Sequence, residues 1–308
     1  MNFFDLDLLN STLRVSTPLI LAALGGLLCE RAGVINIALE GKLLMGAFVA
    51  SWIALSTGNP WLGVAGAMTA AAILGLLHGF MTQKLRIDQI VSGVGINMLA
   101  FGGTTLLYRA LIEPLERAGT GSVSAGLKGF DAGWLQSMPV LGRLLADLNW
   151  LTIIAIALPF VIHFGLYRTR WGLRVTATGN DAAKARSMGA PVLKLRYLGV
   201  VYAGLLTGLA GAFLTVGSVP QFRENMSAGR GFIALAALIF GRWTPMGAAG
   251  AALGFGFFEA LQLRWQVNPP FGKEIPTDLL FALPYLLTVI ALIGLFGKNK
   301  PPADLGNV

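Results

Sequence analysis

A single cysteine, Cys29, stands among 308 residues, so no internal disulfide can form and no Cys/His cluster has zinc spacing. Histidine is nearly as scarce, and both copies, His78 and His163, sit inside apolar runs near a cytoplasmic end, where an interfacial place is expected of each. Charge is thin. Asp, Glu, Lys and Arg make up 12% of the chain, about half the ~25% of a soluble domain. These shortages exclude a disulfide scaffold, a zinc module, a disordered chain and an ordinary soluble enzyme. No Gly-x-x-x-x-Gly-Lys-Ser/Thr run exists either: the Gly-Lys pairs at 41–42, 272–273 and 297–298 are followed by Leu, Glu and Asn. With no Ser/His/Asp set or paired carboxylates in place, no ATP hydrolysis and no covalent chemistry are expected of the chain, and no cofactor or metal is expected on it.

Apolar residues are what is abundant. The set AVILMFWYC supplies 55% of the chain, 40 glycines add nearly twice the ordinary ~7%, and mean hydropathy is +0.69. This is the profile of an all-α polytopic membrane protein. A net charge of +8 reads as membrane orientation and not as nucleic-acid binding, because the basic residues sit between apolar runs.

An apolar run of about 18 residues crosses a ~30 Å hydrocarbon core as a helix. Leu43–Gln83 contains no charged residue and is broken by Ser56-Thr57-Gly58-Asn59-Pro60, a turn signal that makes it a hairpin of 43–56 and 61–82. Further runs cover 13–29, 89–108, 148–167, 197–219, 231–241, 245–263 and 279–297. Asp5 and Asp7 stand where a signal peptide would carry Lys or Arg, so the first run is expected to be a retained span. Segment 168–196 holds seven basic residues against one acid, Asp181, which places it in the cytoplasm. Alternating from there gives nine crossings, the N-terminus outside and the C-terminus inside, with 14 basic residues on the cytoplasmic side and 9 outside. The 11-residue run 231–241 is the weak member and is open to being a re-entrant half-helix. One transmembrane domain, 13–297, with short tails 1–12 and 298–308, accounts for the chain.

Polar groups at membrane depth are functional candidates. Asn36 and Glu40 lie four apart in 33–41, a stretch too short to span and flanked by Gly33 and Gly41, which reads as a broken helix with both side chains on one face. A cytoplasmic interfacial helix with Glu40 in water is the alternative. Asn97, beside Ser92 and Gly93-Val94-Gly95, is a second candidate for either substrate contact or an interhelical hydrogen bond. Glu259 is expected to reach outside water. Gly75/Gly79, Gly204/Gly208 and Gly250/Gly254 are small-x-x-x-small pairs that let helices approach closely. In the basic loop, Asn180 or Asp181 can cap a short helix over Ala182–Met188, with Gly189 as its stop and Pro191 beyond.

Glu30-Arg31-Ala32-Gly33-Val34-Ile35-Asn36-Ile37-Ala38-Leu39-Glu40-Gly41 resembles the N-terminal signature of membrane permeases of ATP-binding-cassette importers for simple sugars, branched-chain amino acids and nucleosides. Its form is most similar to the smaller permease of nucleoside importers. Gly179-Asn180-Asp181-Ala182-Ala183, Gly208-Leu209-Ala210-Gly211 and Gly229-Arg230-Gly231-Phe232-Ile233-Ala234-Leu235-Ala236 extend the likeness. The resemblance implies a bacterial plasma membrane location, a second permease subunit, two cytoplasmic ATPase subunits that use ATP and magnesium, and an extracytoplasmic binding protein. It also implies an ATPase-coupling segment at Asn180, Asp181, Ala182, Ala183, Arg186 and Gly189. This segment departs from the Glu-Ala-Ala-x-x-x-Gly spacing, since five residues separate Ala183 from Gly189. Substrate would pass near Asn36, Glu40, Asn97 and Phe232. Ribose-type sugars and branched-chain amino acids are the neighbouring readings. An ion-coupled secondary transporter would need a midplane carboxylate, for which Glu40 and Glu259 are the only candidates.

Overall fold

The computed structural model describes residues 6–117, 124–129, 148–267 and 301–307. Every regular element among them is helical: α1 (Leu6–Arg31), α2 (Leu39–Thr57), α3 (Pro60–Gly79), α4 (Gln89–Leu111), α5 (Glu113–Arg117), α6 (Trp150–Arg168), α7 (Arg170–Asn180), α8 (Ala182–Ser187), α9 (Val192–Ala212), α10 (Arg230–Phe240) and α11 (Pro245–Val267). Wider π turns carry α3 on through Phe80–Lys84 and α9 through Phe213–Ser218. Seven helices, α1, α2, α3, α4, α6, α9 and α11, are long and apolar enough to cross a membrane. Of the nine expected spans, 279–297 lies outside the described residues. The run 231–241 forms α10, whose 11 residues reach only about 16 Å at ~1.5 Å per residue. That is half a bilayer core.

The termini follow local chemistry. Gly58 closes α2 at φ +69, and the Asn59 side chain then accepts from the Trp61 and Leu62 amides with Pro60 at the first helical position. The Asp88 carboxylate caps α4 in the same way at Ile90 and Val91. Helix α1 starts seven residues before the expected run, and in that added stretch the buried Thr12 hydroxyl donates to the Leu8 carbonyl at 2.7 Å.

Helix α1 runs through the centre of the bundle, buried almost continuously from Ser16 to Glu30. Two of the three glycine pairs bring backbones together. A Cβ on Gly75 would overlap the Val200 carbonyl, and one on Gly204 would lie 2.5 Å from the Ala71 carbonyl and 2.6 Å from Ala72 Cα. Gly46 of α2 meets Gly208 of α9 at the same junction, where an added Cβ would come within 2.9 Å of Gly208 Cα. By contrast, Gly250 and Gly254 on α11 have open space before them among the described residues.

The connections gather at two opposite ends. At one, Arg109 pairs with Glu224, the Ser124 amide donates to the Pro220 carbonyl, and the Asn149 side chain donates to the Gly217 carbonyl. At the other, the Arg31 side chain donates to the Trp243 carbonyl and the Tyr167 hydroxyl, and residues 304–306 bond to Gly33 and Gly179. Segments expected on one side of a membrane therefore meet each other.

Candidate functional site

The connection from α1 to α2, residues 32–38, is not helical, and Gly33 at φ +91 makes its turn possible. Alternate residues Val34, Asn36 and Ala38 are fully buried. Backbone polar groups freed from a helix at such depth need partners from other elements. Gln89 Oε1 accepts from the Ile35 amide at 2.6 Å, and His78 Nε2 lies 2.9 Å from the Ile35 carbonyl. A carbonyl can only accept, so Nε2 carries the proton and Nδ1 is left to accept from the Ser92 hydroxyl at 2.9 Å. Asn97 bridges the other end of the break: Nδ2 donates to the Ile37 carbonyl at 3.1 Å and Oδ1 accepts from the Gly41 amide at 2.8 Å. His78 is thus enclosed by the bundle.

Asn36 and Glu40 do not share a helical face, because helix begins only at Leu39 and the two side chains serve different elements. Asn36 Oδ1 accepts from Lys42 Nζ at 2.7 Å, and Lys42, counted with the cytoplasmic loop bases, is in fact fully enclosed. Glu40, 1% exposed and so not in water, accepts from the Gly229 amide at 2.8 Å and the Gly231 amide at 2.6 Å. Those amides open the half-helix α10, whose first turn has no intrahelical acceptors, and a carboxylate there also meets the positive end of the helix dipole. Gly231 lets α10 come this near, since a Cβ there would stand 2.8 Å from Glu40 Oε2. The far end of α10 is fixed as well: the Glu30 carboxylate accepts from the Trp243 indole. The half-helix is held at both ends by acids flanking the break.

A cavity of 610 Å³ opens between the start of α1, the π turn after α9, the N-terminus of α10 and the end of α11. Arg230 and Glu259 form an ion pair at 2.7 Å in its wall, with Asp7, Ser11 and Arg14 across from them. Glu259 is therefore paired and partly enclosed in the wall of this cavity. Asn36, Glu40 and Asn97 do not line this cavity. Phe232 does not either: it faces outward from α10, 47% exposed.

The capped segment has the expected form. Asp181, and not Asn180, is the N-cap of α8: Oδ1 accepts from the Lys184 amide at 2.9 Å, while Asn180 ends α7. That amide, together with the Lys184 ammonium 2.9 Å from Oδ2, holds the Asp181 carboxyl below the usual carboxylate range. The carboxylate in turn raises the Lys184 ammonium. Gly189 at φ +82 ends the turn, and the next amide, Ala190, donates to the Ala185 carbonyl at 2.9 Å. Ala185 faces inward, while Ala183, Arg186 and Met188 are exposed. A short, capped, basic helix with a small apolar spot at Ala183 is thus presented at the end where the break also lies.

A family model described as the permease component of a branched-chain amino acid transport system matches residues 8–292. The chain belongs to this permease family. It is 40% identical over 303 residues to the guanosine ABC transporter permease protein NupQ of Bacillus subtilis, covering 96% of this chain and 94% of that one. The nucleoside ABC transporter permease protein NupC of Lactococcus lactis is 34% identical, covering 94% and 92%. A putative glucose ABC transporter permease protein of Haloferax volcanii, TsgC13, is 33% identical, covering 94% and 91%. Bacillus subtilis also has a second guanosine permease protein, NupP, to which this permease is 24% identical over 301 residues. The permease is a multi-pass membrane protein of a family of transport subunits.

Proposed function

We propose that this permease forms half of the translocation path of an ABC importer for nucleosides. The observation that carries the reading is the near full-length likeness to NupQ and NupC. The paired guanosine proteins NupQ and NupP support a second, related permease as its partner. Two ATPase subunits, which use ATP and magnesium, and an extracytoplasmic binding protein complete the assembly in the bacterial plasma membrane. Nine passages with the N-terminus outside, counting the half-helix α10 together with the non-helical residues 219–229 before it as one, suit the basic loop 168–196 and the two gathered ends.

In this reading α8 seats in a groove of the ATPase through Ala182 and Ala183, with Arg186 beside them. Closure of the ATPase pair pushes α8, and the push reaches the break after α1 and the half-helix α10. Glu40 ties these two together, so they move as one and switch the path from outside-facing to inside-facing. Asn36 and Asn97 hold the break from behind. The cavity walled by Arg230 and Glu259 is the outer vestibule: 610 Å³ accommodates a nucleoside, and a paired carboxylate and guanidinium suit hydroxyls of a neutral, polar solute. Phe232 offers a flat apolar wall toward the second permease.

Uptake of radiolabelled guanosine into proteoliposomes holding both permeases, the ATPase and the binding protein tests the substrate, with glucose and leucine as competitors. Competition by glucose alone would favour a sugar permease, the reading that TsgC13 supports. Single cysteines at Ser122 and Ser187 test the orientation: an impermeant thiol reagent on intact cells should label only the first. Cys29 is fully buried and stays silent in this assay.

A further inference from the structure

Residues 301–307 lie apart from the spans in sequence, yet they are stitched into the coupling end of the bundle. The Asp304 amide donates to the Gly179 carbonyl at 2.9 Å, at the end of α7. Asp304 Oδ2 accepts from the Ala182 amide at 3.0 Å, the first residue of α8. The same oxygen faces Arg196 Nη2 at 3.7 Å, on α9, and Arg196 is 5% exposed. Arg196 Nη1 in turn donates to Gln83 Oε1 at 3.1 Å, in the π turn after α3. Two residues on, the Gly306 amide donates to the Gly33 carbonyl at 3.2 Å, in the break after α1. Both glycines of that contact have left-handed backbones, Gly33 at φ +91 and Gly306 at φ +88, so neither position accepts an ordinary residue without strain. Asn307 Nδ2 holds the second Asp304 oxygen at 2.9 Å.

One carboxylate therefore touches the start of α8 and the start of α9, while its own strand of chain holds α7 and the break. The Ala182 amide is one of the first-turn donors that a helix cannot satisfy internally, and Asp181 takes a different one, at Lys184. Without Asp304 the Ala182 amide loses its acceptor and the Arg196 guanidinium loses its one ion-pair partner among the described residues. The path from Ala182 through Asp304 and Gly306 to Gly33 thus links α8 to the break by two hydrogen bonds and two residues of chain.

We propose that segment 301–307 is an intramolecular staple that transmits movement of α8 to the break after α1, with Asp304 as its positioning residue. The proposal rests on the reading of α8 as the ATPase-docking helix. It assigns the segment a role in coupling, not merely in stability: with the staple loose, ATP hydrolysis continues while the break follows α8 less faithfully.

The experiment uses the assembled transporter in proteoliposomes and reads two quantities, ATPase association by co-purification and guanosine transported per ATP hydrolysed. Asp304→Ala and deletion of 301–308 should retain association and lower transport per ATP by about fivefold, the scale of losing one helix cap. Asp304→Asn keeps an acceptor for the Ala182 amide, drops the charge opposite Arg196, and should recover part of the ratio. A fall in the yield of assembled complex with transport per ATP unchanged marks a structural role only and overturns the staple. So does a wild-type ratio in both Asp304→Ala and the deletion. Ala183→Glu, run in parallel, reports separately on docking: it should abolish association, and if association survives, it is the docking reading that fails.

Discussion

The Lys42 ammonium donates to the Asn36 side-chain carbonyl across 2.7 Å, and both residues are wholly enclosed by the bundle. A buried charge with one neutral acceptor among the described residues depends heavily on that acceptor. Asn36→Leu should therefore destabilise the permease by about 2–4 kcal/mol, because the ammonium stays and its partner goes. Adding Lys42→Met removes the stranded charge and should restore most of the loss. Thermal unfolding of the detergent-purified permease measures both, and additive losses in the double variant would show that the two side chains act independently.

The fold was readable in the sequence wherever a run was long and uniformly apolar, and the hairpin at Ser56–Pro60 was marked by its own turn residues. The start of α1 was not, because hydropathy penalises Asp7, Asn10 and Ser11 without knowing that Thr12 bonds back to Leu8. The half-helix α10 appeared as a short run open to being either a span or a re-entrant half-helix. Its meaning depends on Glu40, which is 191 residues from Gly231 and cannot be matched to it by any local pattern. Asn36, Glu40 and Asn97 were picked out as polar residues in apolar surroundings, and the structure brings them to one break. His78 and Lys42 belong to the same cluster yet were placed near water, since their runs end close by and burial is a property of the neighbours. The segment 180–189 was legible because caps are local: Asp181, the alanines and Gly189 carry their own instructions.

Glu40 is expected to matter through α10. Glu40→Ala leaves the Gly229 and Gly231 amides without acceptors, at about 1–3 kcal/mol each. Gln keeps one carbonyl oxygen for one of the two amides and should fall between Ala and wild type. Guanosine uptake should follow the same order, read alongside thermal unfolding of the purified permease. Equal uptake by Glu40→Ala and wild type would remove α10 from the switching element.

The Asp181 cap has a defined pH response. Its carboxyl titrates below the usual range because the Lys184 amide and ammonium favour the charged form. A depressed native value means that the contribution is complete above the ordinary carboxylate range and is lost as pH falls through the lowered value. Protection of the Lys184 amide from hydrogen exchange, corrected for the intrinsic rate, should therefore hold from neutral pH down into the acid range. Asp181→Ala should abolish it at every pH, and Asp181→Ser should retain it. Protection that fades near neutral pH would assign the cap to a group other than this carboxylate.

The three glycine pairs look alike in sequence and should behave differently. At Gly204 a methyl group would stand 2.5 Å from the Ala71 carbonyl and 2.6 Å from Ala72 Cα, both backbone atoms of a helix that cannot yield locally. Gly204→Ala must push α3 and α9 apart along their shared seam, where Gly75 and Gly208 already meet facing backbone, and should cost roughly 1–3 kcal/mol or more. At Gly250 nothing among the described residues lies within 4 Å, so Gly250→Ala meets no clash there and gains about 0.5–1 kcal/mol of helix preference. Thermal unfolding midpoints of the purified single permease should move in opposite directions for the two variants. The comparison is made on one subunit, so a surface reserved for a partner does not enter. If Gly204→Ala unfolds at or above the wild-type temperature, close backbone contact is not what joins α3 to α9.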